Sequence, residues 1–165
     1  MGTFEEQKTI STYWMNKSND LKRAASAVFE SGQDDSVFRM LCGMSLEAMF
    51  KAVVLELGNA PPTSHNLNQL ARDAGLTYSK DDQKLLQILT EAVIWDGRYP
   101  VPLKEQHWDE LNEIEKECLY DRRRLGNSSS LEILTPNDRL SLDKFLELLN
   151  VAADKLFAIA TWVIR

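Results

Sequence analysis

Three groups of residues in this chain pair chemically useful side chains with spacings that a fold can exploit. The first is Arg39, Glu47 and Lys51, a line of polar residues in the otherwise nearly all-apolar stretch from Ser36 to Leu57. Glu47 and Lys51 stand one helical turn apart and can pair. Arg39 stands two turns before Glu47, displaced around the same broad side. Charges set into an apolar helix need partners or access to solvent. Two readings follow. Arg39 and Lys51 attract an anionic ligand into a cleft while Glu47 orients them, or Glu47 and Lys51 form a structural ion pair beside a solvated arginine.

The second group is Ser64-His65-Asn66. His65 is expected in the first turn of a short helix, where free backbone N–H groups favour an anion and disfavour an imidazolium. It can donate to a phosphate or move a proton there, or bond a backbone carbonyl and fix the Pro61-Pro62 loop. Asn66 reads as a turn or cap residue. The third group is Arg98-Tyr99-Pro100, where proline restricts the turn, Tyr99 exposes a hydroxyl and Arg98 presents a planar donor fork to phosphate or carboxylate. Packing, helix termination and a structural salt bridge for Arg98 account for that set without a ligand, and this is the favoured reading. His107, beside Trp108, has no evident catalytic partner and reads as a surface or packing residue. Arg122-Arg123-Arg124 is the dense basic run, suited to phosphate, to an acidic partner or to a solvated helix end.

Other chemistries find no pattern. There is no glycine-rich phosphate loop and no HExxH motif, and no spacing singles out a nucleophile with its base. Two cysteines, Cys42 and Cys118, and two histidines make neither a disulfide framework nor a convincing metal centre. No cofactor is implied. Cys42 lies in the apolar stretch and reads as a small buried thiol.

The elements that must position these residues are helical. Trp14, Leu21, Ala24, Ala25 and Val28 predict a helix from about Ser11 to Ser31, closed by Gly32. Asp34 or Asp35 caps a second, which runs to about Leu57 and is apolar around most of its circumference, as a central bundle helix must be. Gly43 costs it roughly 1 kcal/mol of propensity and is either tolerated or needed for close helix contact. Thr63 or Ser64 is expected to cap the short helix holding Leu67, Leu70 and Ala71. Ser79 and Asp82 resemble a shortened capping box ahead of Leu85, Ile88, Leu89, Ala92 and Val93. A fifth helix is expected from Glu105 to Leu125, a mobile loop at Gly126–Ser130, and a helix start at Thr135-Pro136-Asn137-Asp138 that leads into Leu142, Phe145, Leu149, Ala152 and Leu156. No strand pattern is visible. The expectation is an all-α bundle of about five core helices in one domain, 1–165, with an inserted segment at 101–134.

The chain has 165 residues, 44% of them hydrophobic, which suits a single globular core. A formal charge of -6 disfavours a broad nucleic-acid-binding surface, though not a local basic cleft. The first residues lack the basic and apolar regions of a signal peptide, and no apolar run reaches about 18 residues. A cytoplasmic protein without a membrane span is the expectation.

Ser45-Leu46-Glu47-Ala48-Met49-Phe50-Lys51-Ala52, followed by Pro61-Pro62-Thr63-Ser64-His65-Asn66-Leu67 and Arg98-Tyr99-Pro100, resembles the HEPN superfamily over roughly Thr12 to Asp96, with a final helix of matching character. That resemblance implies a helical bundle that commonly dimerises. Some members are ribonucleases, some bind nucleotides, and others accompany a nucleotidyltransferase, including in toxin–antitoxin pairs. Ribonuclease members usually carry arginine and histidine separated by four to six residues near the final helices. Here Arg98 and His107 have eight residues between them, and the last helix has no histidine. As a variant pair, Arg98 would hold phosphate and His107 would assist proton transfer. The expectation is instead a non-catalytic binding or assembly module in which Arg39, Glu47, Lys51, His65, Arg98 and Tyr99 serve a ligand. Its partners would be a second copy and a nucleotide, RNA or nucleotidyltransferase-like protein. The alternatives are a metal-independent endoribonuclease and a structural dimerisation domain.

Overall fold

The computed structural model describes residues 9–32, 35–96, 105–124 and 132–163. Six α-helices lie in these residues: α1 (Ser11–Glu30), α2 (Asp35–Glu56), α3 (Leu67–Asp73), α4 (Lys80–Glu91), α5 (Glu105–Cys118) and α6 (Leu142–Val163). The fold is an all-α bundle. α2 is its axis, with Cys42, Leu46, Met49, Phe50, Ala52 and Val53 all buried, because its sequence leaves no polar face to turn toward water. It ends in a glycine-closed turn: Gly58 takes φ +82°, its N–H donates to the Leu55 carbonyl, and Asn59 N–H donates to that of Val54.

α1 lies along α2 in the most extensive contact of the fold. Two buried serines pin the crossing. Ser18 Oγ donates to the Ser45 carbonyl at 2.8 Å and Ser45 Oγ donates to the Ser18 carbonyl at 2.9 Å. Each hydroxyl thereby escapes the cost of an unsatisfied buried donor. α6 packs on α2 through Phe145, Leu148, Leu149, Ala152 and Leu156. The Tyr78 hydroxyl donates to the Leu148 carbonyl at 2.8 Å and Lys144 Nζ meets Asp82 at 2.8 Å, so the segment from 78 to 82 holds the first half of α6.

α4 begins where the capping pattern places it, with Ser79 Oγ accepting from Asp82 N–H at 3.1 Å. Its last turn widens into a π-helical segment, Ala92–Asp96. Gly43 answers the question its propensity raises. A Cβ there would stand 2.6 Å from both the Leu89 carbonyl oxygen and Val93 Cγ2, so α2 and α4 touch only because the residue has no side chain. α5 covers the outer side of α4 through a small cluster of Leu85, Ile88, Cys118 and Leu119, with a Lys84–Glu117 ion pair beside it.

Three expectations are corrected. α5 stops at Cys118, and Tyr120–Arg124 forms a strand, β1, paired antiparallel with β2, Glu132–Pro136. The register sets Tyr120 opposite Pro136 and Arg124 opposite Glu132. Asn137 makes the turnover: its N–H donates to the Leu119 carbonyl at 2.9 Å, and its Nδ2 donates to the Cys118 carbonyl and to Asp121 at 3.2 Å each. Carbonyls at the end of α5 are thus satisfied by the returning strand rather than by a further helical turn. Second, Thr135-Pro136-Asn137-Asp138 does not open a helix. Pro136 ends a strand, where its missing N–H is tolerated, and α6 starts later, with Ser141 Oγ accepting from Lys144 N–H at 3.2 Å. Third, α3 is capped by Asn66, whose side chain accepts from Gln69 N–H at 2.9 Å, while Ser64 Oγ accepts from Asn66 N–H at 3.0 Å. His65 therefore precedes the helix instead of occupying its first turn. The loop expected at Gly126–Ser130 and the Asp34 cap lie outside the described residues.

Candidate functional site

Glu47 sits on α2 where that helix is overlaid by α1 on one side and by the loop entering α3 on another. Its carboxylate collects two cationic or donor groups. Lys51 Nζ lies 2.7 Å from Oε1, one turn further along α2. His65 Nδ1 lies 3.1 Å from Oε1 and 3.0 Å from Oε2. A carboxylate only accepts, so this pair sets the proton on Nδ1 and turns the other ring nitrogen away from Glu47. The three side chains differ in exposure: 6% for Lys51, 13% for Glu47 and 54% for His65. Lys51 is the buried anchor, Glu47 the part-buried middle of the cluster and His65 its exposed outer group. The Lys51 ammonium also lies 5.4 Å from the centroid of the Trp14 ring, a cation–π contact suited to a desolvated lysine.

Over this carboxylate lies a pocket of about 160 Å³ lined by Trp14, Leu21, Met44, Ala48 and Val93, with Lys17 and His65 beside Glu47. α1 supplies the indole, α2 the carboxylate, the loop before α3 the imidazole, and the π-helical segment the valine. The wide turn is placed by the same contact that requires Gly43, since Val93 packs over that glycine. π-helical turns frequently accompany functional sites.

The sequence singles out Glu47, Lys51 and His65, and the structure brings these three together. Arg39 is elsewhere. Its Nη1 donates to Glu115 Oε1 on α5 at 2.5 Å, beside a second pocket of about 150 Å³ between Phe29, Phe38, Leu119 and Tyr120. Neither the solvated arginine nor the shared anion cleft describes that placement. Arg98 and Tyr99 lie outside the described residues, as does the side chain of His107. Trp14, Lys17, Met44 and Val93 were not anticipated at the site. Trp14 reads from sequence only as one apolar position of α1, and nothing local marks an indole as a pocket wall. The Arg39–Glu115 pair spans 76 positions and has no sequence signal.

The thiols offer no competing chemistry. Burial raises Cys42 far above the ordinary thiol range, against a smaller opposing backbone hydrogen bond, and burial likewise raises Cys118. Burial therefore disfavours the thiolate at both. Among the described residues no group of three or more His, Cys, Asp or Glu side chains is arranged to hold a metal ion, and no helix is long and apolar enough to cross a membrane.

The profile of the HEPN domain matches residues 11–124. The chain belongs to the HEPN domain family. The match covers α1 to β1, so the Glu47–Lys51–His65 cluster lies within it, and it extends past Asp96 through α5 to the end of β1 at Arg124. No curated protein and no solved structure matches the chain.

Proposed function

We propose that this HEPN domain is a binding module that takes a nucleotide, free or within RNA, in the pocket over Glu47. The observation that carries the reading is the pocket itself: an apolar hollow with an indole in its wall, a nearly buried carboxylate at its floor, and a lysine and an exposed histidine beside it. Flat aromatic rings stack on indole, worth about 1–3 kcal/mol per base. Apolar walls with a few convergent polar groups are the general form of a small-molecule site. Lys17 supplies the positive charge for a phosphate outside the hollow. Calorimetry with mononucleotides and a short single-stranded RNA tests this, with Trp14→Leu as the variant that removes the ring. Binding that survives that substitution unchanged in a folded protein rejects the site.

The ribonuclease alternative rests on Arg98 and His107. It expects RNA cleavage in EDTA that is lost in both Arg98→Ala and His107→Ala. Intact RNA after prolonged incubation with the wild-type chain supports the binding module.

A second reading, assembly with a second copy, is favoured by α6. Among the described residues this helix packs chiefly on α2, and its side chains Phe157 and Val151 are 58% and 39% exposed. Light scattering of the wild type against Phe157→Glu tests it: the expected result is a dimer that the substitution dissociates, and a monomeric wild type rejects it.

A further inference from the structure

We infer that the pocket over Glu47 selects guanine, by holding the two adjacent N–H donors of that base on the Glu47 carboxylate. The inference rests on the nucleotide reading above and specifies which part of the nucleotide enters and which base is preferred.

Size excludes the whole nucleotide. Sites that enclose a complete ligand span about 300–1,000 Å³. This hollow has about 160 Å³, room for one ring system, with sugar and phosphate left outside near Lys17. Charge disfavours the phosphate as the group that enters, because it would meet the Glu47 carboxylate. Lys51 lies behind Glu47 rather than in the pocket lining, and its Nζ is already bonded to Glu47 Oε1 and set over Trp14, so the exposed Lys17 is the lysine of the lining that remains for a phosphate. Glu47 and Lys51 form a neutral pair, so no cation beside the carboxylate is left over for an oxyanion, and Lys17 serves a phosphate from the exposed side. The same neutrality argues against a guanidinium or ammonium ligand. A lone carboxylate would attract one, but this carboxylate is matched by Lys51 and shares the pocket lining with Lys17. A neutral, flat ring is what remains.

The carboxylate decides which ring. Ionised, it offers acceptors only, about four positions over two oxygens. Lys51 uses one of them on Oε1, and His65 Nδ1 bridges the pair from the exposed side. A ligand that displaces the 54%-exposed imidazole finds acceptor capacity on both oxygens. Adenine presents an N6 donor beside an N1 acceptor, cytosine an N4 donor beside an N3 acceptor, and uracil an N3 donor between two carbonyls. In each case a lone pair of the base would face a carboxylate oxygen. Guanine alone among the four presents N1–H and N2–H₂ side by side, two donors for two oxygens. A buried polar group left unpaired is the strongest source of discrimination against a near-isosteric ligand.

Calorimetric titration of the full chain with GMP, AMP, CMP and UMP, followed in parallel by tryptophan fluorescence, tests the assignment. GMP is expected to bind at least tenfold tighter than the other three. Glu47→Gln exchanges two acceptors for an acceptor and a donor, which matches the edge of adenine, so the preference should move from GMP to AMP. That variant leaves Lys51 without its carboxylate. The Glu47→Gln/Lys51→Met double variant keeps the floor neutral, and circular dichroism verifies its folding. Equal affinity for the four nucleotides, or a GMP preference unchanged in the folded double variant, overturns guanine selection while the nucleotide reading stands. Binding of none of the four overturns both.

Discussion

Gly43→Ala sets two physical effects of known sign against each other. Helix propensity favours the alanine by about 1 kcal/mol, since Gly43 is a helix-interior position. Packing opposes it. The new Cβ would stand 2.6 Å from the Leu89 carbonyl oxygen and 2.6 Å from Val93 Cγ2, both well inside ordinary contact. The valine methyl can rotate away, whereas the carbonyl is fixed in the hydrogen-bond ladder of α4. The two helices must therefore part by several tenths of an ångström along a contact that is otherwise closed. Overpacking a core costs about 1–3 kcal/mol. With a backbone atom among the two neighbours, the upper end applies, which leaves a net loss of about 2 kcal/mol after the propensity gain. For a chain of this length that is a fall in Tm of about 4–8 °C. Urea denaturation and calorimetry of the wild type, Gly43→Ala, Val93→Ala and the double variant measure it. If the carbonyl dominates, Val93→Ala rescues little and the coupling energy stays below about 0.5 kcal/mol. A Gly43→Ala protein as stable as the wild type would refute the close approach of α2 and α4.

Further expectations follow from single contacts. Glu47→Ala strands the 6%-exposed Lys51 and should cost about 3 kcal/mol in urea titrations, whereas Glu47→Leu/Lys51→Met should recover most of that loss; equal losses in the two would reject the buried pair. Burial acts to raise the Asp82 carboxyl, but hydrogen bonds from Lys144 and Ser79 hold it below its ordinary value, and Lys144 is raised chiefly by the same bond. A lowered carboxyl stabilises the fold above its unfolded value of about 3.9 and loses that share as pH falls through the folded value. A raised lysine gives its full share below about 10.4 and loses it as pH rises through the folded value. Asp82→Asn should therefore shrink both the acid and the alkaline limbs of the pH–stability curve, measured as urea midpoints; limbs identical to those of the wild type would remove the pair from the account. Ser18→Ala deletes the donor to the Ser45 carbonyl and should cost about 1 kcal/mol, and the Ser18→Ala/Ser45→Ala variant less than the sum of its singles, because both hydroxyls leave together.

Much of this fold is legible in the chain where the forces are local. The bounds of α1 and α2, the Ser79 cap and the central place of α2 follow from periodicity, from capping chemistry and from an apolar circumference that only a core can accept. Glu47, Lys51 and His65 were nameable because a charge in an apolar helix must be answered by something nearby. The hairpin was not legible. Tyr-Asp-Arg-Arg-Arg has little of the composition of a strand, and Leu119 continues the helical stripe of α5. Its extended form depends on pairing with residues 132–136 and on Asn137 reaching back to the Leu119 carbonyl. The same separation hid the Glu115 partner of Arg39. Thr135-Pro136-Asn137-Asp138 carries a sound local signal for a helix start, overridden because its proline closes a strand and its asparagine is spent on the end of α5.

The central position of α2 has a consequence for how the chain is made. α1 and α2 are neighbours in sequence and can meet as a helical hairpin soon after they leave the ribosome, a local contact of the fast-forming kind. The face of α2 that receives Phe145, Leu148 and Leu149 has no such neighbour. It must wait until residues 142–163 have been synthesised and have returned to it. During that interval the central helix of the bundle is half-covered, and the nascent chain is open to chaperone binding or to self-association. Codon-paced translation of the stretch between α2 and α6, or a stop placed just before Leu142, should change soluble yield far more than any substitution in the pocket.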